Sequence, residues 1–195
     1  MQDPLSGAPF ADAIAGGHHS DAFSVLGPHE VSPGVWQIRA WLPHADSAEA
    51  IFDGMIAMPM TRVHPRGLWV ATLDQAPGRY RFRLQSGTHE WEEDDPYRFP
   101  PQLTAFQLHL HAEGTHYETY NTLGAHFVEC QGVRGVRFAV WAPNAIVVSV
   151  VGDFNGWDST RHPMRARDGG IWEVFIPGVG LGAIYKYFIH SRVDS

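Results

Sequence analysis

The sequence has a single cysteine, Cys130, and no long hydrophobic run. One cysteine cannot form a disulfide within the chain, and residues 1–20 lack the basic start and apolar core of a signal peptide. No apolar stretch reaches the roughly 18 residues that are needed to cross a bilayer. We therefore expect a protein of the cytoplasm with no membrane partner.

Positive charge is also scarce. Lysine and arginine total 14 residues against 21 aspartate and glutamate residues, which gives a formal net charge of −7. A chain of this charge repels polyanions, so nucleic acid is not expected as a partner and a neutral ligand fits better. Hydrophobic residues make up 44% of the 195 residues, which is enough to build packed cores. The length favours two modules of about 90 residues each.

An internal repeat organises the chain. Residues 34–45 (GVWQIRAWLPHA) return at 135–145 (GVRFAVWAPNA), and three shorter similarities occur in the same order. These pair residues 26–29 with 123–126, 67–69 with 170–172, and 78–82 with 183–187. Chance similarity would not preserve both order and spacing, so we infer a duplicated domain with a period of about one hundred residues.

Each copy of the repeat has the pattern of antiparallel β-structure. β-Branched and aromatic residues fill positions 136–141 and 146–151 between proline, glycine and asparagine residues, which is typical of strands bounded by turns. Further short strands are predicted at 170–176 and 183–189, at the spacing of a sandwich. The predicted fold is all-β, with two tandem immunoglobulin-like β-sandwich modules joined by a short helical linker.

Helix is predicted only outside the sandwiches, over residues 9–15 and 103–113. In the second helix Leu103, Phe106 and Leu110 share one face at i, i+3 and i+7, and we expect that face to pack between the modules.

The predicted domain boundaries follow from these elements. They are an N-terminal helix and extension at 1–20, a first module at 21–101, a helical linker at 102–122 and a second module at 123–195. The first module continues from Tyr80 to Pro101, whereas only 10 residues follow Tyr185 at the matching position. This difference leaves open that the second module is truncated at its C-terminal end.

Four segments resemble bacterial 1,4-α-glucan branching enzymes. They are residues 19–29 (HSDAFSVLGPH), 95–101 (DPYRFPP), 116–126 (HYETYNTLGAH) and 151–164, which contains VGDFNGWD and HPM. The resemblance covers the chain from about residue 10 onward. It implies two N-terminal modules, the second a carbohydrate-binding module of family 48, in front of a glycoside hydrolase family 13 barrel.

No catalytic residue can be assigned in this sequence. Retaining glycosyl transfer needs a carboxylate nucleophile and a carboxylic acid roughly 5 Å apart, at the mouth of a barrel of about 250 residues. Two sandwiches in 195 residues leave no room for such a barrel. The resemblance implies an enzyme that cuts α-1,4 chains and rejoins them as α-1,6 branches in glycogen. We therefore expect a non-catalytic part whose partners are α-1,4-glucan and the missing barrel.

The chemistry of sugar recognition singles out four residues. A glucose ring has C–H groups on its faces and hydroxyls on its rim, so proteins stack aromatic planes on the faces and place polar groups around the edge. Trp157 and Asn155 lie in a turn-rich segment that can hold an indole in solvent, and Trp91 lies in a loop-like position before a run of acids. The resemblance implies that Lys186 also helps to hold sugar. Few aromatic planes predict weak, roughly millimolar binding, or about −4 kcal/mol.

The competing interpretation of each aromatic residue is structural. Trp157 could cap its own sandwich, and Lys186 could form a surface ion pair. The other tryptophans recur at matched strand positions and are expected in the cores, because burial is the commoner use of an indole. They are Trp36, Trp41, Trp69, Trp141 and Trp172.

No metal or other cofactor is expected. His109, His111 and His116 lie near Glu113, but the short fixed ligand spacing of a structural zinc site is missing. Two alternatives to a glucan-binding enzyme fragment stay open at this point. One is a stand-alone glycogen-targeting adaptor, and the other is a pair of modules that only supports a barrel and never contacts sugar.

Overall fold

The computed structural model describes residues 9–53, 57–114 and 119–192. The chain separates into two compact units, one with the residues up to Gly16 and Phe23–Arg98, the other with Gly17–Ala22 and the residues from Phe99 onward. Strands dominate both units, and the two α-helices lie outside the sheets. The all-β prediction of two immunoglobulin-like sandwiches is therefore confirmed.

In its described residues, the first unit has eight strands in two antiparallel sheets. They are β1 Gly27–Ser32, β2 Val35–Trp41, β3 Ser47–Phe52, β4 Met58–Pro59, β5 Thr61–His64, β6 Leu68–Leu73, β7 Tyr80–Ser86 and β8 His89–Asp94. One sheet has the order β1-β2-β6-β5 and the other β4-β3-β7-β8. Tyr80, Phe82 and Leu84 alternate with exposed or half-buried residues along β7, so their side chains all enter the core between the sheets.

The described part of the second unit has six strands. They are β9 Gly124–Cys130, β10 Val133–Trp141, β11 Ala145–Gly152, β12 Arg165–Ala166, β13 Ile171–Pro177 and β14 Tyr185–Ser191. Four form a sheet of order β12-β13-β10-β9, and β11 pairs with β14. Within the described residues β14 has β11 as its one strand neighbour, whereas β7 of the first unit has both β3 and β8. Truncation of the second module stays a prediction.

The two units repeat the same hydrogen bonds at matched positions. In the first, Leu42 N donates to Gly67 O at 2.8 Å, Met60 N to Ala48 O at 2.8 Å, and Trp69 Nε1 to Leu42 O at 3.3 Å. In the second, Ala142 N donates to Gly170 O at 2.9 Å, Met164 N to Val148 O at 2.7 Å, and Trp172 Nε1 to Ala142 O at 3.1 Å. The repeat in the sequence is therefore a repeat of the sandwich.

One pair of glycines shows why the repeat preserves its residue types. A Cβ atom on Gly67 would lie 2.5 Å from the Cα atom of Pro43, and one on Gly170 would lie 2.7 Å from the Cβ atom of Pro143. Both glycines also have positive φ, +114° and +77°. Only glycine fits a backbone that approaches a proline this closely in that conformation.

Both predicted helices are present, as α1 Pro9–Ala15 and α2 Ala105–Ala112. Thr104 caps α2, and its side chain accepts a hydrogen bond from Gln107 N while the Gln107 side chain accepts one from Thr104 N. This reciprocal capping box starts the helix two residues later than predicted. None of the helices in the described ranges is long and apolar enough to span a bilayer.

The predicted apolar face of α2 was wrong. Phe106 is 68% exposed, and Leu103 precedes the helix instead of belonging to it. Leu103 and Leu108 are the buried pair, and they pack with Ala139 and Ile171 of the second sandwich. This arrangement is a hydrophobic staple, in which the residue before the N-cap contacts the fourth helical residue.

Candidate functional site

The candidate site is the turn that follows β11. A 3₁₀ turn over Asp153–Asn155 leads into Gly156 and Trp157, which have φ values of 63° and 62°. We call residues 153–157 the Trp157 loop. A left-handed backbone costs a non-glycine residue roughly 1–2 kcal/mol. Here it accompanies an indole that is 44% exposed at the end of the sandwich.

Hydrogen bonds fix the orientation of the exposed indole. Trp157 Nε1 donates to Asp153 Oδ1 at 3.2 Å, and Trp157 N donates to Gly152 O at 3.0 Å. The second carboxylate oxygen of Asp153 accepts a hydrogen bond from Ile184 N at 3.3 Å. Asp153 therefore links the indole to the chain that enters β14, and the ring is held in place before any ligand arrives.

Asn155 holds the loop from inside. It is 2% exposed, its Oδ1 atom accepts a hydrogen bond from Gly152 N at 2.9 Å, and its Nδ2 atom donates to Val150 O at 2.8 Å. Nδ2 also lies 2.8 Å from Nδ1 of His162. Burial, with the nearby charge of Arg161, lowers the pKa of His162 to about 3, so the ring is neutral at pH 7 and can accept this hydrogen bond. The amide of Asn155 thus has its hydrogen bonds directed into the protein.

Lys186 lies beside the start of this loop. It occupies β14 opposite Val151, next to the pair formed by Gly152 and Tyr185. Tyr187 turns inward and donates from its hydroxyl to Ala139 O at 3.1 Å. Because side chains alternate along a strand, Lys186 lies on the other face, where it is exposed. The structure thus places Trp157, Asn155 and Lys186 at one end of the β11·β14 pair.

Trp91 belongs to the first unit and lies in β8, not in a loop as the sequence indicated. Its ring stacks on that of His89 with centroids 5.3 Å apart and an interplanar angle of 21°. Its Nε1 atom donates to Glu93 Oε2 at 3.3 Å, and the indole packs partly against the first core. As a sugar contact it stays a separate prediction.

Of the five tryptophans expected in the cores, Trp41, Trp69 and Trp172 are buried and Trp36 is partly buried. The prediction for Trp141 was wrong, because its indole is 56% exposed. Trp141 is the last residue of β10, where its Nε1 atom donates to Gly169 O and its ring contacts that of His111. Repeat position alone could not distinguish it from the buried Trp41.

The histidines near the linker helix do not assemble a metal site in the described part of the chain. His109 Nε2 lies 3.3 Å from Glu113 Oε1 on the exposed side of α2. Across residues 9–53, 57–114 and 119–192, no group of three or more His, Cys, Asp or Glu side chains is arranged to hold a metal ion. His116 lies outside the described residues.

Two protein families match this chain. Residues 10–97 match the alpha-1,4-glucan branching enzyme GlgB N-terminal domain, and residues 122–194 match carbohydrate-binding module 48, the isoamylase N-terminal domain. The family-48 match includes the Trp157 loop and Lys186.

The similar proteins of known name are branching enzymes. The 1,4-alpha-glucan branching enzymes GlgB of Paramagnetospirillum magneticum, Bradyrhizobium sp. and Rubrobacter xylanophilus are 52%, 50% and 51% identical to this chain over 92%, 93% and 94% of its length. The chain spans about a quarter of the length of these relatives, 24% or 25%.

Proposed function

The first half of this chain belongs to the N-terminal domain family of α-1,4-glucan branching enzymes and the second half to carbohydrate-binding module family 48, and we propose that the chain binds α-1,4-glucan. In a complete branching enzyme it positions a glucan chain for α-1,6 branch formation by a catalytic barrel. The proposed partners are therefore glycogen and that barrel. We place the protein in the cytoplasm, where a buried free thiol such as that of Cys130 stays reduced.

The observation that carries the proposal is the fixed, exposed indole of Trp157. Its Nε1 atom donates a hydrogen bond to Asp153, so the ring keeps one orientation. Ligand binding therefore does not have to order the side chain. The apolar face of a glucose unit can stack on such a ring. Asp153 and Lys186 offer an acceptor and a donor near the rim of the sugar, while Asn155 acts by positioning the loop.

One aromatic plane supports only weak binding of a single glucan segment. A millimolar dissociation constant corresponds to about −4 kcal/mol. Glycogen presents many equivalent chain ends and segments to a tethered module, so effective concentration makes weak individual contacts sufficient.

Affinity electrophoresis in gels with and without glycogen tests the proposal. We expect wild-type protein to be retarded by glycogen and Trp157→Ala to lose most of this retardation, because the stacking plane is gone. Trp141→Ala is the matched control. Its indole is also exposed, but it lies at the opposite end of β11.

Two results would contradict this site. Equal mobility of the wild-type protein in both gels would contradict glucan binding and favour a purely structural role. Loss of retardation in Trp141→Ala, with Trp157→Ala unaffected, would indicate that glucan stacks on Trp141, at the other end of the module.

A further inference from the structure

The first unit has an open cleft of about 860 Å³ at one end of its sandwich. The cleft lies between the end of β3 and the loop that joins β6 to β7, and its lining includes Phe52, Leu73 and Arg79. Sites that hold small ligands have volumes of about 300–1,000 Å³. Trp91 does not line it. The cleft is thus a surface that none of the four predicted sugar contacts occupies.

The internal repeat relates this cleft to the Trp157 loop. At the cleft Phe52 pairs with Tyr80, and beside the Trp157 loop Gly152 pairs with Tyr185. Both pairs are the last of their ladders, at the same end of matched strands. The cleft therefore lies in the first sandwich where the Trp157 loop lies in the second.

The connection at this end differs in length between the two sandwiches. The matched hydrogen bonds Met60 N to Ala48 O and Met164 N to Val148 O enclose both connections. The connection in the first sandwich is four residues shorter. The shorter connection carries no tryptophan.

The lining of the cleft suits a neutral sugar. Phe52, Met58 and Leu73 supply apolar surface, while the rim has the exposed side chains of Asp53, Asp74, Gln75 and Arg79. Asp53 Oδ2 and Arg79 Nε lie 3.9 Å apart, so charges of both signs face the opening and a strongly charged ligand gains little. Carboxylate, amide and guanidinium groups together can satisfy hydroxyls as both donors and acceptors.

We propose that this cleft binds a short α-1,4-linked glucan segment, so that the first module carries a sugar site of its own. The choice of glucan as ligand rests on the proposed function of the chain. Two weak sites on one chain can engage the same polymer, and the second contact then forms at high effective concentration.

The test is a titration of the full chain with maltoheptaose, followed by backbone amide NMR shifts. We expect shifts at Asp53 and at 72–79 in the wild-type protein and in Trp157→Ala. Combined Gln75→Ala and Arg79→Ala substitutions should weaken binding at these amides about fivefold or more, since two rim hydrogen-bonding groups are lost. Arg66→Ala is the matched control, because Arg66 is exposed at the opposite end of β6 and should leave the titration unchanged.

The outcomes separate the two proposals. Shifts at 153–157 without shifts at 72–79, at sugar concentrations of about 20 mM, would overturn the cleft site and leave the proposed function standing. Shifts at 72–79 that the double substitution does not weaken would also overturn it. Shifts at 72–79 alone would support the cleft and contradict the Trp157 platform, and no shift at either place would overturn both.

Discussion

Asn155 is the residue on which the geometry of the Trp157 loop depends. Its amide hydrogen-bonds the backbone of β11, through Gly152 N and Val150 O, and also contacts the neutral His162. A side chain that is buried and fully bonded costs more to remove than an exposed one, because its partners are left unsatisfied. At the residue scale, the geometry of the site therefore depends on a side chain that does not have to contact the sugar.

Replacing Asn155 tests this role. We expect Asn155→Ala to lower the free energy of unfolding by roughly 2–4 kcal/mol, since a buried N–H, a carbonyl and a ring nitrogen lose their partner. Urea denaturation followed by tryptophan fluorescence measures the change. Asn144→Ala, which removes an exposed amide near the other end of β11, should have little effect. Equal stability of the two variants would show that the inward bonds are dispensable.

Asp95 links stability to pH in the first unit. Tyr80 donates from its hydroxyl to Asp95 Oδ2 at 2.6 Å, and Tyr97 N donates to Oδ1 at 2.9 Å. Burial raises the pKa of Asp95 from 3.8 to about 6, although both hydrogen bonds and Arg98 oppose the rise. The folded state therefore binds this proton more tightly than the unfolded state. The stability from this group is complete below pH about 4 and is lost as the pH rises through about 6.

The variant Asp95→Asn should remove this dependence. An amide keeps an oxygen to accept hydrogen bonds and does not titrate. We expect the unfolding free energy of Asp95→Asn relative to wild type to increase as the pH rises from 4 to 7. Urea unfolding at several pH values measures this difference, and the titration of His162 in the second unit contributes equally to both proteins. A difference that is flat or falls with pH would show that Asp95 is not protonated in the folded state near pH 5.

At the scale of the element, α2 is held to the second sandwich partly by the residues just before it. The backbone N–H groups of Gln102 and Leu103 both donate to Glu173 Oε2 of β13 at 3.0 Å. The capping box of Thr104 and Gln107 then starts the helix, and Leu108 enters the core beside Ile171. The direction of the chain before the helix thus decides which helical face is buried.

Two substitutions in α2 distinguish the observed face from the predicted one. We expect Leu108→Ala to lower the free energy of unfolding by about 2–4 kcal/mol, because Leu108 is 3% exposed and its removal leaves a cavity. Phe106→Ala should stay within about 0.5 kcal/mol of wild type, since that ring is largely in solvent. Thermal or urea unfolding measures both. A larger loss of unfolding free energy for Phe106→Ala than for Leu108→Ala would support the buried face that helical periodicity predicts.

At the scale of the whole molecule, duplication has produced two sandwiches with the same framework and different ends. Both have a hydrogen bond from a tryptophan Nε1 to the carbonyl before the turn proline that recurs in the two repeats, at Leu42 and Ala142. The second sandwich has the longer connection and carries Trp157 on it, while the first has an open cleft at the same place. The two proposed sugar sites thus lie at the matching ends of the two sandwiches.

The sequence by itself determined the duplicated all-β fold and the positions of both helices. Repeated motifs, runs of β-branched and aromatic residues, and the proline, glycine and asparagine residues that bound them are local patterns, so they can be recognised without coordinates. The same local chemistry predicted that Trp157 would project from a turn, because a run of turn residues around an indole leaves no strand to bury it.

Only the tertiary structure decided which side chains are covered. Trp141 and Trp41 hold the same place in the repeat, yet one is exposed and the other buried, because burial depends on what packs over the end of each strand. The packing of Leu103 and Leu108 on Ala139 and Ile171, and the cleft at Phe52 and Arg79, likewise join residues that are placed by different elements. Such contacts form when distant segments of chain meet, and no local pattern specifies them.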